Sequence, residues 1–325
     1  MAGAAALQWY HLRRIATDPE FLFLSRRPGG RPVTVTSGDG TVLHAEVFGD
    51  EQAPTIVLAH GWTEQLTYWA YQIHDLSRDF RVVAYDLRGH GASARPASGD
   101  YTLARFGEDV EAVLAATVPE GERAVLVGHS LGAMSIAAWA ERHPVERRVR
   151  AAALLNTGLA DLISEQQFLP LPYFARSLAD PIGRYAILGA PAKLPDITSL
   201  AHHMVIRYLA FGPKATAGQI AHYERMFAAC LPEVRAGCGL AMADMDLRHA
   251  LSKLTVPTLV VAGARDKLTP VSHGARIASA LPQLTDFVVI PGAGHMGPIE
   301  QGEQVSAALR ELAQPTGSSG RAAAG

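Results

Sequence analysis

The sequence is poor in cysteine, which argues against a fold held together by disulfides. Its 325 residues include only two cysteines, Cys230 and Cys238. If one helix carried both, their spacing would separate them by about 12 Å along its axis, too far for a bridge. We therefore expect two reduced thiols and, since disulfide frameworks belong to oxidising compartments, a cytoplasmic protein.

An excess of charge of either sign is also missing. The formal net charge at pH 7 is −2, and 18% of the residues are charged. Because binding to nucleic acid depends on clustered Lys and Arg, this balance argues against DNA or RNA as a partner. Neither HExxH nor CxxC spacing occurs, so the sequence predicts no metal site.

No apolar run is long enough to cross a membrane. A spanning helix needs about 18 or more apolar residues, whereas the apolar run near the N-terminus, residues 21–24 (FLFL), is short even for a signal peptide. We expect residues 1–31 to form a helical extension that packs on the body of the protein. Because arginines flank this run, weak contact with a membrane surface is the alternative.

The sequence does contain a series of short apolar runs of strand length. Two of them, at 31–37 and 41–49, alternate apolar and polar residues, which is typical of half-exposed strands joined by a hairpin. The others are almost continuous in Val, Leu, Ile and Ala, as expected of parallel strands covered on both faces. These continuous runs lie at 55–60, 81–87, 124–129, 149–156, 258–264 and 286–292. Helix-length segments separate most of them, so the sequence predicts an α/β fold with a doubly wound, mostly parallel sheet of eight strands.

One interval of about 90 residues, 158–251, interrupts this alternation. It has no strand pattern and is divided by several prolines, and a structureless loop of that length would be unusual in a compact domain. We therefore expect a helical cap inserted after the sixth strand. The α/β core then comprises residues 32–157 and 252–313, and the low-complexity residues 314–325 form a disordered tail.

The segment AVLVGHSLGA, residues 124–133, places Ser130 between two glycines at the end of an apolar run. A strand followed by GxSxG and a helix is the context of a nucleophile elbow, where the serine occupies a strained turn above the sheet. Gly128 and Gly132, which have no Cβ, would let the strand and helix backbones approach closely around it. Because a match of five residues arises by chance, a glycine turn with a bystander serine is the alternative.

Two residues at later strand ends favour catalysis. Asp266 follows the penultimate apolar run, in GARDKLTP, and His295 lies in the Gly/Pro-rich loop after the last run, in PGAGHMGP. The chain order Ser130, Asp266, His295 is that of one class of serine hydrolase and differs from the order in the others. Asp161, just after the sixth run, is an alternative acid.

The sequence resembles the α/β-hydrolase fold superfamily from about Val33 to Leu312. Five landmarks carry the resemblance and together are highly specific for that fold. They are HGW at 60–62, DLRGHGAS at 86–93, GHSLG at 128–132, GARD at 263–266 and GAGH at 292–295.

The resemblance implies a role for each landmark residue. Ser130 would be the nucleophile, His295 the general base and Asp266 the residue that orients the imidazole. The backbone N–H groups of Leu131 and Trp62 would form the oxyanion hole. Here the sequence departs from the HGGG form of some lipases and esterases, since a tryptophan follows His-Gly.

These roles predict a serine hydrolase that cleaves a carboxylic ester of a small to medium, mostly apolar substrate through an acyl-enzyme. No metal or organic cofactor is needed, and the expected partner is the small-molecule ester. A serine nucleophile argues against the dehalogenases and epoxide hydrolases of the superfamily, which use a carboxylate. A second hypothesis keeps the triad but has it act on a lactone, amide, thioester or C–C bond, or in perhydrolysis. A third is a non-catalytic ligand-binding protein on this scaffold.

Overall fold

Eight strands form one sheet in the computed structural model, which describes residues 2–166 and 199–314. In chain order the strands are β1 (Arg31–Thr36), β2 (Val42–Phe48), β3 (Thr55–Ala59), β4 (Arg81–Tyr85), β5 (Ala124–His129), β6 (Val149–Leu155), β7 (Thr258–Gly263) and β8 (Leu284–Ile290). Their order across the sheet is β1-β2-β4-β3-β5-β6-β7-β8. Strand β2 runs antiparallel to β1 and β4, and every other neighbouring pair is parallel. The predicted α/β fold with a mostly parallel eight-stranded sheet is confirmed.

Helices cover the sheet on both faces. In chain order they are α1 (Ala2–Ala16), α2 (Pro19–Leu24), α3 (Ala70–Leu76), α4 (Leu103–Thr117), α5 (Leu131–Arg142), α6 (Leu162–Glu165), α7 (Leu200–Ala210), α8 (Ala217–Ala229), α9 (Pro232–Ala243), α10 (Val271–Ala280), α11 (Gly297–Glu300) and α12 (Gly302–Ala313). Short 3₁₀ helices occupy Leu66–Trp69, Val145–Arg147 and Arg248–Lys253.

Alternate residues of the central strands belong to two different apolar cores. In β3, Val57 packs with residues of α4 and α5, whereas Ile56 and Leu58 pack on the opposite face with residues of α3 and α12. This division follows from the two-residue period of a strand, which sends successive side chains to opposite faces. Since both faces are covered, every residue of β3, β4 and β5 is buried.

Strand β8 differs from the expectation that its run is covered on both faces. Among the described strands it lies at the edge of the sheet, with a neighbour on one side only. Most of its side chains are exposed or half-buried, and Val289 is 38% exposed. The apolar run alone therefore predicted the strand correctly and its burial wrongly.

Between β6 and β7 the described residues form helices and no strand. We call these residues, 158–166 and 199–251, the insertion; they include α6 to α9. Local sequence accounts for its helix starts: a capping box between Thr216 and Gln219 begins α8, and Pro232 occupies the first turn of α9. Residues 167–198 of the expected cap and 315–325 of the expected tail lie outside the described residues.

The N-terminal helices pack on the insertion. The FLFL segment lies in α2, where Phe21 and Leu24 are buried. Asp18 caps α2 by accepting from Glu20 N, and its other carboxylate oxygen accepts from Gly218 N at the start of α8, at 2.8 Å. No single helix in the described ranges is long and apolar enough to cross a bilayer; α8 and α9 pass that test only as a pair, and they meet at a bend of 100°.

The two cysteines do not share a helix. Cys230 ends α8, and Cys238 lies within α9, so the spacing argument along one axis does not apply. Both thiols are buried and free. Burial raises the pKa of Cys230 to about 12, which keeps this thiol protonated and unreactive near neutral pH.

Candidate active site

Ser130 occupies the sharp turn between β5 and α5. Its backbone has φ 48° and ψ −116°, a conformation that residues other than glycine rarely adopt. Hydrogen bonds on both sides hold this turn: Ser130 N donates to Leu155 O at the end of β6, and Ser130 O accepts from Ala133 N and from Thr157 Oγ1, each at 3.0 Å. The strained turn is therefore fixed by its neighbours, as is common at functional sites.

The two glycines around Ser130 have a steric reason. A Cβ on Gly128 would lie 2.5 Å from the backbone nitrogen of Ala133, and a Cβ on Gly132 would overlap the carbonyl oxygen of Ala59. No side chain fits at either position without displacing backbone. These glycines let β5, α5 and the end of β3 meet at one point beside the serine hydroxyl.

His295 and Asp266 form a buried hydrogen-bonded pair. The distance from His295 Nδ1 to Asp266 Oδ2 is 2.9 Å, and the two residues are 5% and 3% exposed. The carboxylate also accepts from Leu268 N, from the backbone N and hydroxyl of Thr269, and from the side-chain amide of Asn156, at distances of 2.9 to 3.1 Å. Asp266 is thus held in one orientation by several donors.

The pKa values of the two residues shift in opposite directions, as expected of a carboxylate beside an imidazole. Burial alone would raise the pKa of Asp266, but the adjacent His295 and the hydrogen-bond donors hold it below its ordinary value. Burial alone would lower the pKa of His295, but the attraction of Asp266, with smaller contributions from Glu64 and Glu300, raises it above 6.5. Since the carboxylate oxygen accepts from Nδ1, neutral His295 carries its proton there and keeps a lone pair on Nε2.

We therefore expect activity to begin to fall at a higher pH, as the solution is acidified, than it would with a histidine of ordinary pKa. Only neutral His295 has a lone pair for a proton, and its pKa is raised above the ordinary 6.5. We expect the acid limb of a kcat/KM profile to lie above pH 6.5 in the wild type. In Asp266→Asn, which removes the main cause of the raised pKa, the limb should move to lower pH. Rates that stay constant down to about pH 5 would contradict the assignment of His295 as the base.

Asn156 and Thr269 complete this cluster, and the sequence analysis did not identify either. Asn156 has φ 44°, and its amide donates to Asp266 Oδ2 and to the carbonyl of Gly294, next to His295. Each had a weak signal: Asn156 is the polar residue that ends the sixth apolar run, and Thr269 follows Asp266 at a spacing that lets a short side chain turn back.

Asp161, the alternative acid, lies elsewhere. It is exposed, has φ 58°, and pairs with Arg248 at 3.4 Å. The carboxylate beside His295 belongs to Asp266. The sequence expectation that placed Asp266 ahead of Asp161 agrees with this geometry.

The HGW loop forms a tight turn in which Glu64 N donates to Gly61 O at 3.4 Å. Thr63 has φ 63°, an outlier for a β-branched residue. Its backbone N donates to His90 Nε2 at 3.2 Å, and its hydroxyl donates to Trp62 O at 2.6 Å. Like the turn at Ser130, this turn is strained and is held by specific partners.

Among the backbone N–H groups at this edge that have no protein acceptor within the described residues, two lie in the turns just described. One belongs to Leu131, the first residue of α5, where a helix leaves its N–H groups unpaired. The other belongs to Trp62 in the strained turn. These are the two donors expected from the sequence to form the oxyanion hole.

Neutral histidines and a buried aspartate support the loops around these donors. His60 donates from Nδ1 to Gly61 O and accepts at Nε2 from Leu87 N. Burial holds the pKa of His60 well below its ordinary value and lowers that of His90 to about 4. The two oxygens of Asp86 accept from the backbone of Leu66 and of Ala92. These side chains fix backbone and have no free group for chemistry.

The insertion contacts both the HGW loop and the loop that carries His295. Trp62 Nε1 donates to Arg235 O in α9 at 3.0 Å, and Tyr223 of α8 lies 2.9 Å from the hydroxyl of Thr63. At the end of α7, Ala210 O accepts from His295 N at 2.8 Å. The described helices of the insertion therefore lie directly against the candidate site.

Glu300 reinforces the contact between α7 and the histidine loop, and the sequence analysis did not identify it. One of its carboxylate oxygens accepts from Gly294 N at 2.9 Å, and the other accepts from Gly212 N at 2.7 Å. Burial raises its pKa to about 7. A Cβ on Gly212 would overlap the carbonyl oxygen of Gly292, so the two segments touch backbone to backbone.

In the described ranges, no three His, Cys, Asp or Glu side chains are arranged to hold a metal ion. The groups that the structure does place at this edge are a hydroxyl in a strained turn, an imidazole with a carboxylate partner, and unpaired backbone N–H donors.

Comparison with known proteins identifies similar chains over most of this length. A family model described as alpha/beta hydrolase fold matches residues 54–301. The 3-oxoadipate enol-lactonase 2 of Acinetobacter baylyi is 26% identical over 291 residues, which cover 86% of this chain and 95% of the relative. The bifunctional esterase/perhydrolase DCH of Acinetobacter calcoaceticus is 25% identical over 289 residues, with 84% and 96% covered. The structure of the esterase RhEst1 from Rhodococcus sp. ECU1013 superposes with a TM-score of 0.69 at 26% identity, covering 87% of this chain and 98% of that one.

Proposed function

This chain belongs to the α/β-hydrolase fold family, and on that premise we propose that it is a serine hydrolase cleaving a carboxylic ester of a small to medium, mostly apolar substrate. The observation that carries the proposal is the His295–Asp266 pair, buried at 2.9 Å in the loops after β8 and β7. Ser130 follows β5 at the same carboxyl edge of the sheet, in a turn with a strained backbone.

In the proposed mechanism, Ser130 Oγ attacks the acyl carbonyl while His295 Nε2 takes its proton. Asp266 stabilises the resulting imidazolium and keeps the ring oriented. The tetrahedral oxyanion accepts from the backbone N–H groups of Leu131 and Trp62, and each such donor contributes on the order of 10²–10³ in rate. The imidazolium then protonates the leaving alkoxide, and the acyl-enzyme is hydrolysed by a water that His295 activates.

Lactone hydrolysis is the second candidate, because a similar protein is named an enol-lactonase. A lactone is a cyclic ester, so the same steps apply without change to the catalytic residues. We also propose that residues 158–251 form a cap that selects the substrate, since the described helices of the insertion contact Trp62 and the backbone of His295. Because both thiols are free and buried, we place the enzyme in the cytoplasm.

The proposal is tested by labelling and a substrate panel. A fluorophosphonate probe should label the wild type at Ser130, and p-nitrophenyl esters of short and medium acyl chains should be hydrolysed faster than amides. Ser306→Ala is the matched control, because Ser306 is a buried serine of α12 whose hydroxyl has no partner among the described residues. It should be labelled and active like the wild type. Faster turnover of lactones would favour the second candidate; no labelling and no turnover of either class would overturn both.

A further inference from the structure

Behind the candidate site lies a buried glutamate–histidine pair that the proposed mechanism does not use. Glu64 comes from the HGW loop and His129 from the last position of β5, and they are 3% and 0% exposed. His129 Nδ1 lies 3.0 Å from Glu64 Oε1 and 3.1 Å from Oε2. The pair is thus as close as an ion pair and has almost no access to water.

This pair is bonded to all three pieces of the candidate site. Glu64 Oε2 accepts from Gly61 N, in the loop that also carries the N–H of Trp62. His129 directly precedes Ser130, and its Nε2 lies 2.9 Å from the carbonyl oxygen of His295. The HGW loop, the turn at Ser130 and the loop that carries His295 are therefore all bonded to these two side chains.

The hydrogen bond to the His295 loop fixes the role of one ring nitrogen of His129. The carbonyl oxygen of His295 can only accept, so His129 Nε2 carries a hydrogen and donates it. The other ring nitrogen, Nδ1, faces the carboxyl group of Glu64, so both nitrogens of this buried ring have a polar partner.

The surroundings leave the pair no alternative position. A Cβ on Gly61 would lie 2.9 Å from His129 Nδ1 and 3.0 Å from a carboxylate oxygen of Glu64. On its other side, the ring of His129 stacks on Tyr68 with centroids 4.7 Å apart, and it lies 5.0 Å from the ring of His295. Movement of the pair would therefore move the HGW loop or the ring of His295.

We propose that Glu64 and His129 are positioning residues that hold the HGW loop and the His295 loop in place relative to Ser130. This inference rests on the proposed function. The role is geometric: the pair supplies an acceptor to Gly61 N and a donor to His295 O. Neither side chain has a free group with which to touch the substrate.

Two substitutions at Glu64 separate geometry from charge. Glu64→Ala removes the acceptor of Gly61 N and the partner of His129, so kcat should fall by about 10²–10³, the range found when one oxyanion donor is lost. Glu64→Gln keeps both bonds, because its oxygen can accept from Gly61 N and its amide can donate to His129 Nδ1. We expect Glu64→Gln to retain kcat within about tenfold, with KM little changed in both variants. If Glu64→Ala does not fold, Glu64→Asp, which keeps the charge on a shorter side chain, should show the same loss.

A carboxylate outside the insertion provides the matched control. Glu111 of α4 accepts from Trp139 Nε1 and from Arg148 Nε, each at 2.8 Å. Glu111→Ala removes this acceptor at a site away from the three loops. It should lower the melting temperature as Glu64→Ala does while leaving kcat within about twofold, since loss of stability alone does not move the loops.

Crystal structures of Glu64→Ala and Glu64→Gln complete the test, because they need no substrate. We expect the Gly61–Trp62 backbone to be displaced from Ser130 in Glu64→Ala and to keep its position in Glu64→Gln. An unmoved loop in Glu64→Ala, or equal loss of kcat in Glu64→Gln and Glu64→Ala, would overturn the positioning role. If the wild type neither hydrolyses esters nor reacts with fluorophosphonate, the proposed function fails, and the loop positions in the two structures still decide the role of the pair.

Discussion

Ser130→Ala is expected to lower kcat by about 10⁴- to 10⁶-fold without loss of the fold. The hydroxyl oxygen is the only atom removed. The hydrogen bonds that hold the strained turn, from Ser130 N to Leu155 O and from Ala133 N and Thr157 Oγ1 to Ser130 O, all use the backbone of residue 130. The melting temperature should therefore change by no more than about 2 °C, and fluorophosphonate labelling should disappear.

The size of the expected loss distinguishes a nucleophile from a serine that only binds substrate. Loss of one hydrogen bond to a bound ester costs about tenfold to a hundredfold and would be seen largely in KM. The Ser306→Ala control, a change of the same atoms in α12, should leave kcat and labelling intact. A Ser130→Ala enzyme that keeps more than about one hundredth of wild-type kcat would remove Ser130 from the mechanism.

His295→Ala is expected to cause a loss of the same order as Ser130→Ala, and the double variant should lose little more than either single variant. In the proposed mechanism every proton that the imidazole takes or gives serves a step at the serine oxygen or its acyl ester, so each group is nearly useless without the other. The measurement is kcat for a p-nitrophenyl ester in the two single variants and the double variant. His11→Ala, which removes a buried histidine from α1, is the control for loss of a buried ring and should keep wild-type kcat.

The loss of kcat in the double variant shows whether Ser130 and His295 act in the same step or independently. If the losses of Ser130→Ala and His295→Ala multiply in the double variant, the two residues act in separate steps and the proposed proton transfer is wrong. The hydrogen bond of 2.9 Å between His295 Nδ1 and Asp266 leads to a further expectation. Asp266→Asn should lose activity as well, because an amide at this position favours the tautomer with its proton on Nε2.

The sheet followed from apolar runs because a strand covered on both faces has few polar residues. That relation holds for β3 to β5, where every residue is buried. It misled at β8, whose sequence is just as apolar although the strand lies at the edge. The position of a strand in a sheet depends on its neighbours, and a run of Val and Ile does not encode it.

Those residues of the candidate site that belong to short sequence motifs could be predicted from the sequence. GHSLG, GARD and GAGH identified the serine, the carboxylate and the imidazole that lie at one edge of the sheet. Asn156 contacts Asp266 across 110 positions of sequence, and Glu64 contacts His129 across 65, so no local pattern connects either pair. Such supporting residues become visible only when the fold brings distant segments together.

The junction between α7 and the histidine loop has a consequence for engineering. The carboxylate of Glu300 accepts from both Gly212 N and Gly294 N, and Ala210 O accepts from His295 N. A chimera that grafts the helices of a relative between β6 and β7 would therefore replace part of the support of the imidazole. We expect such grafts to alter turnover even where the new helices do not contact the substrate, unless residues 210–212 of this chain are retained with its core.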